Sequence, residues 1–129
     1  TLAGSEILIY PTAIGWAPDD AETIKQQQLD AWITVLRANA ITNGVYVLAP
    51  NRTGFEPDPS DQTAGTEFWG NSLIIGPQGE IIARAGVHDE ALLIANIDTN
   101  HSEKIRRQWP YLRDRRIDAY DALGKRYRD

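Results

Sequence analysis

The sequence contains no cysteine, and this absence excludes whole classes of chemistry. There is no disulfide framework, no thiolate zinc site and no thiol nucleophile. Long hydrophobic runs are also missing, since no stretch approaches the roughly 20 apolar residues that cross a bilayer. Thr1 to Ser5 lacks the charged start and apolar stretch of a secretory leader. The expectation is therefore a soluble, cytoplasmic protein with no membrane partner. The two histidines, His88 and His101, stand in polar turn contexts without the spacing of zinc ligands, so no metal is expected. Ser72 is rejected as a nucleophile because no Gly-x-Ser-x-Gly elbow surrounds it.

Positive charge is scarce through most of the chain. Residues 1–99 carry four basic and thirteen acidic side chains, whereas residues 100–129 carry nine basic and five acidic. The formal net charge of −5 argues against a nucleic-acid partner. An acidic body favours a cationic small molecule. The basic tail either docks on an acidic surface or is a solvated helix end.

What remains is ordinary globular composition. The 129 residues are 42% hydrophobic and 24% charged, which suits one domain with its own core. No internal repeat or domain boundary is visible, so 1–129 is read as one unit with an arm from about 111 to 129. Glu6 to Pro11 is an apolar run that predicts a strand buried on both faces. Thr12 to Pro18 reads as a loop. Asp19 or Asp20 is positioned to cap a helix running to about Asn43. Leu29, Trp32, Ile33, Leu36 and Ala40 share one face of it, and Gly44 ends it.

Val45 to Pro50 predicts a second strand, and Asn51 to Thr66 a long polar loop. Asn71 to Gly76 and Glu80 to Ala85 flank Pro77-Gln78-Gly79 as a hairpin. Ala91 to Ile97 reads as a further strand. Asp98, Thr99 or Ser102 would cap a short helix ending near Trp109-Pro110, and an irregular segment then leads into a helix or extended arm. Near-continuous apolar strands need helices outside them, so the class is α/β.

Three stretches, in this order and spacing, resemble the nitrilase superfamily of carbon–nitrogen hydrolases, and especially its N-carbamoylputrescine amidase branch. The first is Glu6 to Trp16, reading EILIYPTAIGW. The second passes from Ala38-Asn39-Ala40 through Asn43 to Val47 and on to Asn51-Arg52-Thr53-Gly54. The third starts at Phe68-Trp69-Gly70-Asn71-Ser72, crosses Gly76 to Glu80 and continues by Asp98 to Arg113-Asp114-Arg115-Arg116 and Tyr120. The resemblance covers about Leu2 to Tyr120.

It implies the C-terminal half of an α-β-β-α sandwich, a mixed sheet with outer helices, in subunits that assemble into homo-oligomers. The family's cysteine, two glutamates and lysine lie upstream of the Tyr10-Pro11-Thr12 strand in its pattern, so no catalytic residue is transferred here. The chain would be part of an amidase completed by an N-terminal half. The implied reaction converts N-carbamoylputrescine to putrescine, CO2 and ammonia through a cysteine thioester, with no cofactor. The alternative is a non-catalytic half-protein used for assembly.

The candidate substrate residues lie beyond strand ends, where open α/β sheets place ligands. Tyr10, Thr12, Ala13, Ile14, Gly15 and Trp16 form a loop that the resemblance places beside the active site. Alternatively, Tyr10, Ile14 and Trp16 pack under the following helix. Asn51 and Arg52 follow the second strand, where an arginine either pairs with a carboxylate or orders its loop. Glu56, with Asp58 and Asp61, either attracts an ammonium group or is solvated. Phe68-Trp69-Gly70-Asn71-Ser72 is either a pocket wall, with Gly70 allowing close backbone approach, or a stretch whose two aromatics are core. Arg113 to Arg116 with Asp114 are expected to form an ion-pair network that pins the C-terminal segment.

Overall fold

The computed structural model describes residues 1–127. Strands β1 (Ile7–Ile9), β3 (Tyr46–Ala49), β6 (Leu73–Ile75) and β7 (Ile81–Arg84) form a four-stranded sheet in the order β1-β3-β6-β7. β1 and β3 run parallel, and the other neighbours are antiparallel. Helix α1 (Glu22–Asn43) provides the crossover between the two parallel strands, as a parallel pair requires. A second sheet joins β2 (Gly15–Trp16), β5 (Thr66–Trp69) and β4 (Thr53–Glu56) in the order β2-β5-β4.

The core lies between α1 and the first sheet. Leu29, Ile33, Leu36 and Ala40 of the helix pack with Val47, Ala49, Leu73 and Ile75 of the strands. Fully burying a leucine or isoleucine contributes about 1.5–3 kcal/mol, so this stripe outweighs any local propensity term. Trp32 is half-buried at its edge. Gly44 ends the helix at φ 57°, ψ 46°, and its N–H returns to the last turn. The N-terminus departs from expectation. Ala21 is the cap residue and no side chain bonds there, so neither Asp19 nor Asp20 caps the helix.

β1 is an edge strand and is not buried on both faces, since Ile7 and Ile9, which share one face, are 38% and 62% exposed. The second sheet leaves that face open, since its Trp69 joins the core on the α1 side, 5.8 Å from Trp32. The loop expected over 51–66 contains β4, which pairs residue by residue with β5 from Thr53↔Trp69 to Glu56↔Thr66. The hairpin β6–β7 forms as expected around Pro77-Gln78-Gly79.

The expected strand at 91–97 is absent. Its side chains alternate, with Leu93, Ala95 and Ile97 half-buried and Leu92 and Ile94 exposed. It does not pair with an edge of either sheet. Instead it places Ala91 and Leu93 beside Ile9, Leu48 and Ile74, over the sheet face opposite α1.

Helix α2 (Thr99–Gln108) starts where expected, with the Asp98 carboxylate accepting from the Asn100 N–H. Beyond it, Ile117–Ala119 and Asp121–Gly124 are short 3-10 turns rather than a helix or an extended arm. Arg128 and Asp129 of the expected arm lie outside the described residues. The expected network at 113–116 is also corrected. Arg113 pairs with its neighbour Asp114 and Arg116 with Asp118, both exposed and both within the segment, so neither pair pins the segment to the body. The hydrogen bond from Arg116 holds the Asp118 carboxyl below its ordinary range. Arg106 does tie distant parts together, since its guanidinium donates to Asn43 O and Ser5 O, 3.2 Å each.

Candidate functional site

The parallel strands β1 and β3 end side by side, and their C-terminal ends deliver the two loops that build the site. The bridge continues past the strands. Thr12 pairs with Asn51, Thr12 N–H donates to Pro50 O at 2.9 Å, and Arg52 N–H donates to Thr12 O at 3.2 Å. Beyond that bridge the chains diverge into β2 and β4 of the second sheet. A cleft of about 460 Å³ opens there, lined by Ala13, Arg52, Glu56, Asp58, Thr63 and Phe68, among others.

Charge in the cleft is arranged by local bonds. The Arg52 guanidinium pairs with the Glu56 carboxylate four residues on and lies over the Phe68 ring, 4.4 Å from its centre. Arg52 is therefore already neutralised. Asp58 Oδ1 accepts from the hydroxyl and N–H of Ser60 at 2.7 and 2.8 Å, and Oδ2 accepts from the N–H and hydroxyl of Thr63 at 3.0 Å each. These bonds, led by the Ser60 hydroxyl, stabilise the charged form and lower the Asp58 carboxyl from 3.8 to about 2. One arginine faces two carboxylates, so the lining carries a net negative charge.

Not all of the expected site residues meet there. Ala13, Arg52 and Glu56 line the cleft. Tyr10 and Ile14 are half-buried against the core. Gly15 pairs with Phe68 in the second sheet, where a Cβ would collide with the Glu67 carbonyl. Trp16 packs against Trp69 with ring centres 5.4 Å apart and planes tilted by 56°, and donates its indole N–H to Lys25 O at 2.9 Å. Trp69, only 2% exposed, is core. Thr12 and Asn51 form the joint between the sheets. Among the described residues no group of histidine, aspartate and glutamate is placed to hold a metal ion.

A model of carbon–nitrogen hydrolases matches residues 1–107. The chain belongs to the carbon–nitrogen hydrolase family. It is 40% identical to an N-carbamoylputrescine amidase of Oryza sativa subsp. japonica over 123 residues, which is 95% of this chain and 40% of that protein. It is 34% identical to a citrullinase of Francisella tularensis, covering 98% of this chain and 42% of that protein. The structure of a carbon–nitrogen hydrolase from Helicobacter pylori G27 superposes with a TM-score of 0.94 at 48% identity, over 98% of this chain and 43% of that one.

The expected α/β architecture of half a carbon–nitrogen hydrolase is thus the observed one. The chain spans about 40% of the length of the curated relatives it matches.

Of the two aromatics suspected as a pocket wall, Phe68 lines the cleft and Trp69 packs in the core. Strand alternation is the signal that separates them, because one side chain turns to the cleft and the next to the core. Sequence reasoning missed the part Asp58 plays in ordering its own loop. The spacing Asp58-x-Ser60 is a side-chain turn motif that orders the loop locally.

Proposed function

We propose that this chain is the substrate-cleft portion of an amidase that cleaves a carbamoyl or amide C–N bond, with N-carbamoylputrescine as its substrate. The observation that carries the reading is the charge of the cleft. Arg52 is occupied by Glu56 and screened by Phe68, while Asp58 stays ionised at any neutral pH. A substrate with an ammonium group and no carboxylate suits that lining, and likeness to N-carbamoylputrescine amidases over 95% of the chain supports the same choice.

The chemistry itself needs a group these residues lack. A thioester forms only on a thiolate, and the sequence holds no cysteine. In our reading the nucleophile stands on an N-terminal half outside these 129 residues, and this chain supplies the wall against which the substrate lies. Water then completes the hydrolysis, with putrescine, CO2 and ammonia as products. The same reading carries a cytoplasmic role in polyamine formation and a homo-oligomeric assembly.

A graft tests it. The 129 residues replace the matching part of the Helicobacter pylori hydrolase, and ammonia release is followed with N-carbamoylputrescine and with citrulline, which also bears a carboxylate. The graft is expected to release ammonia faster from the diamine derivative, and the isolated chain to release none. A folded but inert graft would overturn the amidase reading. Preference for citrulline would overturn the charge argument, and turnover by the isolated chain would overturn the external thiolate.

A further inference from the structure

We infer that Asn51 is a positioning residue, whose side-chain amide fixes the backbone of Ala13 on the wall of the cleft. The inference rests on the cleft being the substrate site, as proposed above. Asn51 occupies the short link between β3, which ends at Ala49, and β4, which begins at Thr53. It therefore sits where the four-stranded and three-stranded sheets meet.

The amide has two donors and an acceptor with two lone pairs, and all four are used. Oδ1 accepts from Ile14 N–H and from the Thr12 hydroxyl, 3.0 Å each. Nδ2 donates to Ile14 O at 3.0 Å and to Gly70 O at 2.9 Å. The bonded residues bracket Ala13 on both sides, and Ala13 is the one of the three that lines the cleft. The aim of the side chain is itself fixed. Asn51 N–H donates to Ser72 Oγ at 3.0 Å, and the Ser72 hydroxyl donates back to Asn51 O at 3.3 Å.

With its capacity spent on protein, the amide has no donor or acceptor left for a substrate. Its effect on the cleft passes through Ala13. Few other side chains perform this task. Aspartate keeps the acceptor but points a carboxylate at two carbonyls, and alanine removes all four bonds.

Two measurements decide the matter, one on the chain alone and one on the graft. In the isolated chain, Asn51→Ala is expected to speed hydrogen exchange at the Ile14 amide by at least about tenfold. Val47 and Ile74, in the paired strands, should exchange as in the wild type, and Asn51→Asp should leave Ile14 better protected than Asn51→Ala does. In the graft, Asn51→Ala is expected to raise KM for N-carbamoylputrescine about tenfold with little change in kcat, the signature of lost ground-state binding.

Unchanged exchange at Ile14 overturns the clamp. Equal acceleration at Val47 and Ile74 overturns it too, because that reports general loosening. An active graft with an unaltered KM overturns the link to substrate. An inert wild-type graft speaks against the amidase reading instead, and the exchange data still decide what Asn51 holds.

Discussion

At the scale of single residues, local hydrogen bonds rather than burial set the chemistry. Asp58 is half-buried, and four bonds from Ser60 and Thr63 favour its charged form. Its folded pKa lies below the unfolded value of 3.8. The carboxylate therefore adds order to the 58–63 loop above that pH, and this contribution fades as pH falls toward about 2. A carbon-detected NMR titration is expected to find the Asp58 carboxyl titrating near 2, and Ser60→Ala together with Thr63→Val should return it toward 3.8. Titration at the ordinary value in the wild type would mean that the loop lacks these bonds. Gly70 presents a different constraint. Its φ is 54°, and a Cβ would lie 2.5 Å from Val87 O and 2.6 Å from Gly86 O. The left-handed conformation alone costs an L-residue about 1–2 kcal/mol. Gly70→Ala should therefore lower the urea midpoint by more than that figure implies, with the collision adding to it.

At the scale of elements, burial dominates. Ile33 is 8% exposed on the inner face of α1, and Val35, two residues on, is 58% exposed. Ile33→Ala is expected to cost about 2–5 kcal/mol and Val35→Ala no more than about 0.5 kcal/mol in equilibrium unfolding. Equal effects would place the helix in the wrong rotation. The same contrast explains which elements were legible in the sequence. α1 announces itself because its apolar residues recur at helical spacing and Gly44 stops it, and the β6–β7 hairpin does so through its turn residues. β4 and β5 were hidden because Thr53–Glu56 and Thr66–Trp69 are four residues each and mix polar with aromatic side chains. Their stability comes from pairing with each other and with β2, which no local pattern reveals. Ala91 to Ile97 misled in the opposite sense, because its apolar run is that of a strand but it pairs with no edge of either sheet. In the cleft, Ala13, Arg52 and Glu56 could be read as loop residues past strand ends. The clamp by Asn51 could not, because its partners are 37 and 19 residues away.

At the scale of the whole molecule, one face of the first sheet is incompletely covered. Ile9 of that sheet is 62% exposed, and Leu92 and Ile94 of the segment lying over it are 85% and 81% exposed; large apolar side chains left open to water in this way promote association. The isolated chain is expected to bind a hydrophobic dye and to scatter light as an oligomer, and Leu92→Lys with Ile94→Lys should reduce both signals. A monomer that ignores the dye would show that the face is closed in solution. The cluster of three tilted indoles has a practical consequence of another kind. Trp16, Trp32 and Trp69 come from β2, α1 and β5, with ring centres 5.4 and 5.8 Å apart along the chain of contacts, whereas Trp109 is 55% exposed near the arm. Excitation at the red edge of absorbance should therefore produce two emitting populations, one shielded and electronically coupled, the other wet. With Trp109→Phe the remaining fluorescence becomes a built-in gauge of whether the helix is seated on the second sheet, readable in a stopped-flow instrument without attaching any label.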